Sequence, residues 1–210
     1  MIQMYGNREW RVTTEPAIEP ITVAEVKDFA RIDGSYEDVL FLTFIKAVRR
    51  ATENYLGRAL IEQTVTMSMN DFSDHCRGDL LPLYKYIGSG DVVVELPQPR
   101  LISVTEVRTL DESGTSTIYS SDNYYIRTIA VPGQLVLKSG VSPPFNTNRY
   151  FGGYEIEFKA GYGDSADDVP EDIKLGMIMW VSNIYEDRTA FATIPEPVKM
   201  IFNTERILPI

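Results

Sequence analysis

Two hydrophobic periods divide the chain. Between residues 21 and 60, apolar positions recur every three and four residues, the spacing of a helix face. Thr22-Val-Ala-Glu25 forms a capping box and predicts a short helix to Ile32, which Asp33-Gly34 breaks. Ser35-Tyr-Glu-Asp38 opens a second helix that runs to Leu56 and stops at Gly57, a residue suited to the left-handed position past a helix end. Its apolar stripe is Leu40, Phe44, Ala47, Val48, Ala51 and Tyr55, and Lys46, Arg49, Arg50 and Glu53 fall opposite. Val39 and Leu42 intrude on that polar face. They are either ordinary exposed apolar residues or a contact with another subunit.

From residue 60 to 159 the period becomes two. Val65, Met67 and Met69 alternate with Thr64, Thr66 and Ser68. Further strand segments are predicted at 92–96, 102–110 (with Val104, Val107 and Leu110 inward), 115–119, 124–127, 134–137 and 154–159. Turn signals separate them, at Asp111-Glu-Ser-Gly114 and Pro132-Gly133 among others. Short strands at this spacing predict an antiparallel sheet or barrel. Long loops at 71–91 and 140–150 interrupt it, of a length that often serves function.

Helical spacing returns from about residue 169 to Arg188. Asp168 is the expected N-cap, with Pro170 in the first turn and Glu171 at N3. Ile173, Met177, Trp180, Val181 and Ile184 form the main stripe. Leu175, Ile178 and Met179 lie off it, so this helix is apolar nearly all round and is buried on several sides. Ile194-Pro-Glu-Pro-Val198 then reads as non-helical, followed by apolar Met200, Ile201, Phe202, Ile207 and Ile210. This segment either folds back on its own core or docks on another protein, and docking is the expectation carried forward.

The expected class is therefore α+β. A helical core at 21–60 and 168–190 contains two N-terminal helices and one long C-terminal helix. An antiparallel β domain at 61–167 is inserted in it. An arm spans residues 1–20, and an extended docking tail spans 191–210.

Charge and composition narrow the function. Thirty acids against twenty Lys and Arg give a net charge of −10, which opposes a DNA-gripping surface. A single cysteine, Cys76, rules out an internal disulfide. No signal-peptide pattern opens the chain and no apolar run is long enough to span a bilayer, so a protein made in a cytoplasm is expected.

Chemistry is sparse. The Gly161-Tyr-Gly163 turn before a helix suggests a phosphate loop. However, Asp164, Asp167, Asp168, Glu171 and Asp172 crowd that helix end and would repel a phosphate. The third glycine of a dinucleotide fingerprint and the Gly-Lys-Ser/Thr of a P-loop are both missing. His75 is the only histidine. With Asp74 and Cys76 it makes at most a fragment of a metal site, without the second ligand pair that zinc needs. No Gly-x-Ser-x-Gly elbow supplies a nucleophile for it. Arg49, Arg50 and Arg58 are too few for a nucleic-acid stripe and suit salt bridges on a helix surface. The expectation is no catalytic residue, no metal and no cofactor. A small ligand-binding module or an enzyme using the β insertion is kept as the alternative.

The order of motifs adds a resemblance. Ile21-Thr-Val-Ala-Glu-Val-Lys27, Arg31-Ile-Asp33, Glu37-Asp38 and Glu53-Asn-Tyr-Leu-Gly-Arg-Ala-Leu-Ile61 resemble the opening of tailed-phage head–tail connector (adaptor) proteins. Leu96-Pro-Gln-Pro-Arg-Leu-Ile-Ser-Val104 resembles that family's central strand entry. Ala160-Gly-Tyr-Gly163, Asp168-Val-Pro-Glu171 and Tyr185-Glu-Asp-Arg188 resemble its closing helix. The family includes prophage and gene-transfer-particle relatives.

The resemblance implies a structural protein of the virion, located at the head–tail junction and assembled in the bacterial host cytoplasm. It implies a homo-oligomeric ring of about twelve copies under the portal protein, closed by head-to-tail contacts. Such a ring carries double-stranded DNA through its channel without specific binding. It also offers a platform to a downstream head–tail stopper or tail protein, and has no membrane partner. The resemblance places portal docking on Ile194, Val198, Met200, Ile201, Phe202, Ile207 and Ile210. Val39, Leu42, Leu175 and Met179 are the expected subunit interface.

Overall fold

Alternation places Val65, Met67 and Met69 on one face of a strand and Thr64 and Ser68 on the other, and the structure builds a sheet around that strand. The computed structural model describes residues 3–5, 8–70, 92–144, 149, 151–187, 189, 191 and 193–206. The chain divides into two units. One comprises Met1–Glu15 and Gln63–Gly161, the other Pro16–Glu62 and Tyr162–Ile210. The described strands all fall in the first unit and the described α-helices in the second.

The β unit contains β1 (Gln3–Tyr5), β2 (Arg8–Thr14), β3 (Gln63–Met69), β4 (Val93–Leu96), β5 (Leu101–Leu110), β6 (Ser116–Ile118), β7 (Tyr124–Arg127), β8 (Gly133–Leu137) and β9 (Tyr154–Ala160). Six strands form one antiparallel sheet in the order β1-β2-β3-β9-β5-β6, and three form a second in the order β4-β8-β7. In the large sheet Val65 and Val104 flank Phe158, while Met67 and Val107 flank Ile156. Val104 and Val107 are three apart and still share a face, because the register shifts between Val104 and Glu106. The sheets meet closely at Gly133, where an added Cβ would lie 2.4 Å from the Leu101 Cβ. Arg8 reaches from β2 to donate to the Glu95 carbonyl at 3.1 Å.

The arm expected over residues 1–20 is not one. β2 pairs along its length with β3, so its backbone groups are used by the sheet rather than left to a partner. The segment Pro16–Glu62 belongs to the helical unit.

That unit holds α1 (Val23–Ala30), α2 (Asp38–Leu56), α3 (Glu171–Glu186) and α4 (Glu196–Asn203). Thr22 and Glu25 form the reciprocal capping box, and Gly57 ends α2 at φ 70°. Its core gathers Val26 of α1, Phe41, Ile45 and Val48 of α2, Ile173, Met177, Trp180, Val181 and Ile184 of α3, and Val198 and Phe202 of α4.

Three expectations are corrected here. The buried face of α2 is Phe41, Ile45, Val48, Thr52 and Leu56; Phe44, Ala51 and Tyr55 only flank it. Arg49 and Glu53, expected on the surface, are buried with it. Asp168 does not cap α3. It closes a capping box with Ser165 on a one-turn 3-10 helix, Ala166–Asp168, and Pro170 precedes the helix. The tail is a fourth helix rather than an extended segment. Pro195 stands before it and Pro197 lies in its first turn, where a proline's missing N–H costs nothing. Val198 and Phe202, four apart, then face inward together.

Candidate assembly surfaces

Buried charge organises the helical unit. Arg49 is 3% exposed. Its Nε contacts Glu19 Oε2 at 2.8 Å and its Nη1 contacts Glu53 Oε2 at 2.9 Å. The other oxygen of Glu53 accepts from the Leu60 backbone N–H at 3.0 Å. One cation thus ties the segment before α1, the middle of α2 and the loop after it. A buried charge is tolerated only when paired and hydrogen-bonded in this way.

A second cluster holds the C-terminal helix. Arg58 Nη1 donates to the Tyr162 hydroxyl and to Glu205 Oε2 at 3.1 Å, and Tyr162 Oη donates to the same Glu205 oxygen at 3.3 Å. Tyr55 Oη donates to Asn203 at 2.7 Å, and the Arg206 guanidinium lies 4.5 Å from the centre of the Tyr55 ring. Phe202 packs so closely on α3 that a Cβ on Gly176 would come within 2.5 Å of its ring. The sequence reading had assigned Arg58 only a surface ion pair and had not linked Tyr55 and Tyr162 to the tail. The Glu53-to-Ile61 motif holds Glu53, Tyr55 and Arg58, but nothing local in it names their distant partners.

The Gly161-Tyr-Gly163 turn is architectural in the structure. Tyr162 N–H donates to the Leu60 carbonyl, Glu62 N–H donates to the Gly163 carbonyl at 2.7 Å, and Ile61 bridges Gly163 in parallel. A Cβ on Gly163 would collide with the Asp168 carboxylate, which leaves no cradle for a phosphate.

The predicted interface residues separate. Val39 and Leu42 are exposed at 79% and 44% on the first turns of α2, next to the fully exposed Tyr36. Leu175 is exposed on α3, whereas Met179, one turn on, is half-buried against the core. The predicted docking residues also separate. Val198 and Phe202 are in the core, Ile194 and Ile201 are half-buried against it, and Met200 is 72% exposed. Ile207 and Ile210 lie outside the described residues, as do His75 and Cys76. The sequence reading missed an apolar hairpin tip. Ile129 and Val131, in the β7–β8 connection, and Tyr125 on β7 are exposed. The signal was a turn segment, Thr128-Ile-Ala-Val-Pro132, with two bulky aliphatic residues where a turn is normally polar.

Burial raises the pKa of the Tyr119 and Tyr124 hydroxyls, with Glu106 adding to the effect at Tyr124. Asp111 is held below its ordinary value by hydrogen bonds from the Ser113 hydroxyl and the Thr115 N–H. Among the described residues no group of three His, Cys, Asp or Glu could hold a metal, and no helix is long and apolar enough to cross a membrane.

No protein-family model and no curated protein matches the chain. Solved structures do. A chain from the neck of an empty gene transfer agent (GTA) particle, computed with C6 symmetry, superposes with a TM-score of 0.74 at 22% identity, over 96% of both chains. The fold is that of a GTA neck chain. A chain of the native GTA virion gives a TM-score of 0.72 at 21% identity over 96% of both chains. A chain from the native GTA neck computed with C12 symmetry gives 0.70 at 20% identity, over 95% of this chain and 97% of that one. At 96% of the chain, the match to a GTA neck chain takes in the β unit and the helical unit alike.

Proposed function

We propose that the protein is a structural head–tail adaptor of a tailed phage or phage-like particle. It forms a ring under the portal, extends the DNA channel, and offers a docking platform to the next connector or tail protein. The observation that carries this reading is the near-complete fold match to neck chains of symmetric particles. The net charge of −10 suits a channel through which DNA slides unheld. Neighbouring copies pack through Val39, Leu42 and Leu175, with Met179 in a lesser role because it already packs on its own core. Portal docking falls to Met200 on the outer face of α4 and to Ile207 and Ile210 beyond it. Ile194 and Ile201 flank that face, and Val198 and Phe202 serve docking indirectly, by fixing α4.

Electron microscopy of particles carrying the tagged protein tests the reading. Rotationally symmetric density containing the tag, between capsid and tail, is expected. Tag found elsewhere in the particle, or only in unassembled fractions, would reject it. Removing residues 207–210 leaves α4 and its anchors in place, and should abolish incorporation onto portal-bearing capsids.

A further inference from the structure

Each unit leaves an apolar patch exposed, and the stretches of sequence that carry the two patches have opposite charge. In the helical unit Tyr36, Val39 and Leu42 project from the start of α2. Residues 25–38 around them hold Glu25, Asp28, Asp33, Glu37 and Asp38 against only Lys27 and Arg31. In the β unit Ile129 is 96% exposed and Val131 59% at the β7–β8 tip, with Tyr125 on the strand leading to it. Residues 123–154 hold Arg127, Lys138 and Arg149 and not one Asp or Glu, in a chain with thirty acids, and Glu95 stands opposite Gln134 on the neighbouring strand. Arg127 donates to the Gln134 side-chain amide at 3.0 Å, and Lys138 sits 5.0 Å from the centre of the Tyr125 ring. These contacts leave both positive charges in place.

Apolar side chains rimmed by charge mark interaction surfaces. A closed ring of identical copies requires two different faces that match each other, not one face that matches itself. We infer that the β7–β8 tip of one copy seats on the start of α2 of the next copy, with Ile129 and Val131 against Val39 and Leu42. Arg127 and Lys138 then face the acidic stretch around Asp33. This assignment rests on the ring reading above and adds the pair of surfaces that would close the ring. The bases are too dispersed for a duplex grip, which needs clustered Lys and Arg, and aliphatic tips have nothing to bind on a phosphate backbone. A contact built from two small patches falls short of a stable free interface. It therefore forms where a portal lines the copies up, and opposite charge guides the approach.

The test uses the full-length chain with Cys76→Ser, Val39→Cys and Ile129→Cys, incorporated into neck-bearing particles and treated with a short bismaleimide. Both introduced cysteines replace exposed residues, so folding should be intact by circular dichroism. A ladder of covalent multimers is expected, about tenfold above either single-cysteine variant. Arg127→Glu should lower the ladder about tenfold, and Asp33→Lys should restore it. Dimers from one single-cysteine variant would mean a like-to-like contact and overturn the inference. Neck rings visible by microscopy without a ladder would overturn it while leaving the adaptor reading intact, whereas particles with no ring of this protein would overturn both. Retention of duplex DNA by the free protein that Arg127→Glu abolishes, again without a ladder, would reassign the basic stretch to nucleic acid.

Discussion

The two units differ in where their main ion-pair clusters lie. In the large sheet Arg8, Gln63, Thr66 and Thr109 are buried, but the ion pairs of Arg108 stay near solvent. Arg108 pairs with Glu155 at 2.8 Å while both remain partly exposed. In the helical unit the same chemistry is taken inside, where Arg49 bridges Glu19 and Glu53 with almost no exposure. An exposed pair is screened by water and adds little stability, whereas a buried pair becomes obligatory, because each partner is costly once the other is gone. The Arg108 pair can therefore be changed at little cost, and the Arg49 cluster cannot.

Breaking one partner in each unit gives the largest contrast. Glu53→Ala removes a buried carboxylate from Arg49 and the side-chain acceptor of the Leu60 N–H, and should cost about 3–5 kcal/mol in urea unfolding. Glu155→Ala removes a partner from the partly exposed Arg108 and should cost below about 1 kcal/mol. Equal losses would mean that the Arg49 cluster is not the fixed point it is taken to be.

Packing sharpens the contrast at a middle scale. Gly133→Ala forces a methyl group onto Leu101 where the two sheets meet and should destabilise by about 1–3 kcal/mol. The same change at Gly114, whose φ of 83° disfavours alanine although no atom lies within 4 Å, tests strain alone and should cost about 1 kcal/mol. Thermal melts of the two variants separate crowding from conformational cost.

At the outer surfaces, stability and assembly should come apart. Val39→Ser and Ile129→Ser replace exposed residues, and each should shift stability by no more than about 0.5 kcal/mol. Both should nevertheless reduce incorporation into necks. A large loss of stability in either would show that the side chain serves the fold of its own copy.

How much of this was legible follows from the same comparison. Along β3 and β9 the apolar residues bury by parity, a local property, so Val65, Met67, Met69, Ile156 and Phe158 could be read directly. On α2, polarity alone turned the stripe away from Phe41 and Ile45, because Arg49 and Glu53 counted as surface until their partners were known. Glu19 lies thirty residues from Arg49, and no periodicity reports a pairing at that distance. The prolines at 195 and 197 were read as helix breakers when their placement at the helix start made them compatible with one. The apolar patch on α2 was visible as residues out of place. Its partner at Ile129 and Val131 was hidden inside what looked like an ordinary turn.

The smallest expected effect lies in the β5–β6 turn and concerns pH. Asp111 Oδ1 accepts from the Ser113 hydroxyl at 2.6 Å and from the Thr115 N–H at 2.8 Å, and the hydroxyl bond contributes most to holding this carboxylate below its ordinary value. A group with a depressed folded-state pKa stabilises the fold above its unfolded pKa, and that contribution disappears as pH falls through the folded value. The turn should thus loosen only in acid, below the usual carboxylate range. Following the Thr115 amide resonance through an acid titration should show a transition that Ser113→Ala moves upward in pH and Asp111→Asn removes. A Thr115 transition unchanged in Asp111→Asn would assign the acid response to another group and leave the turn held by its backbone alone.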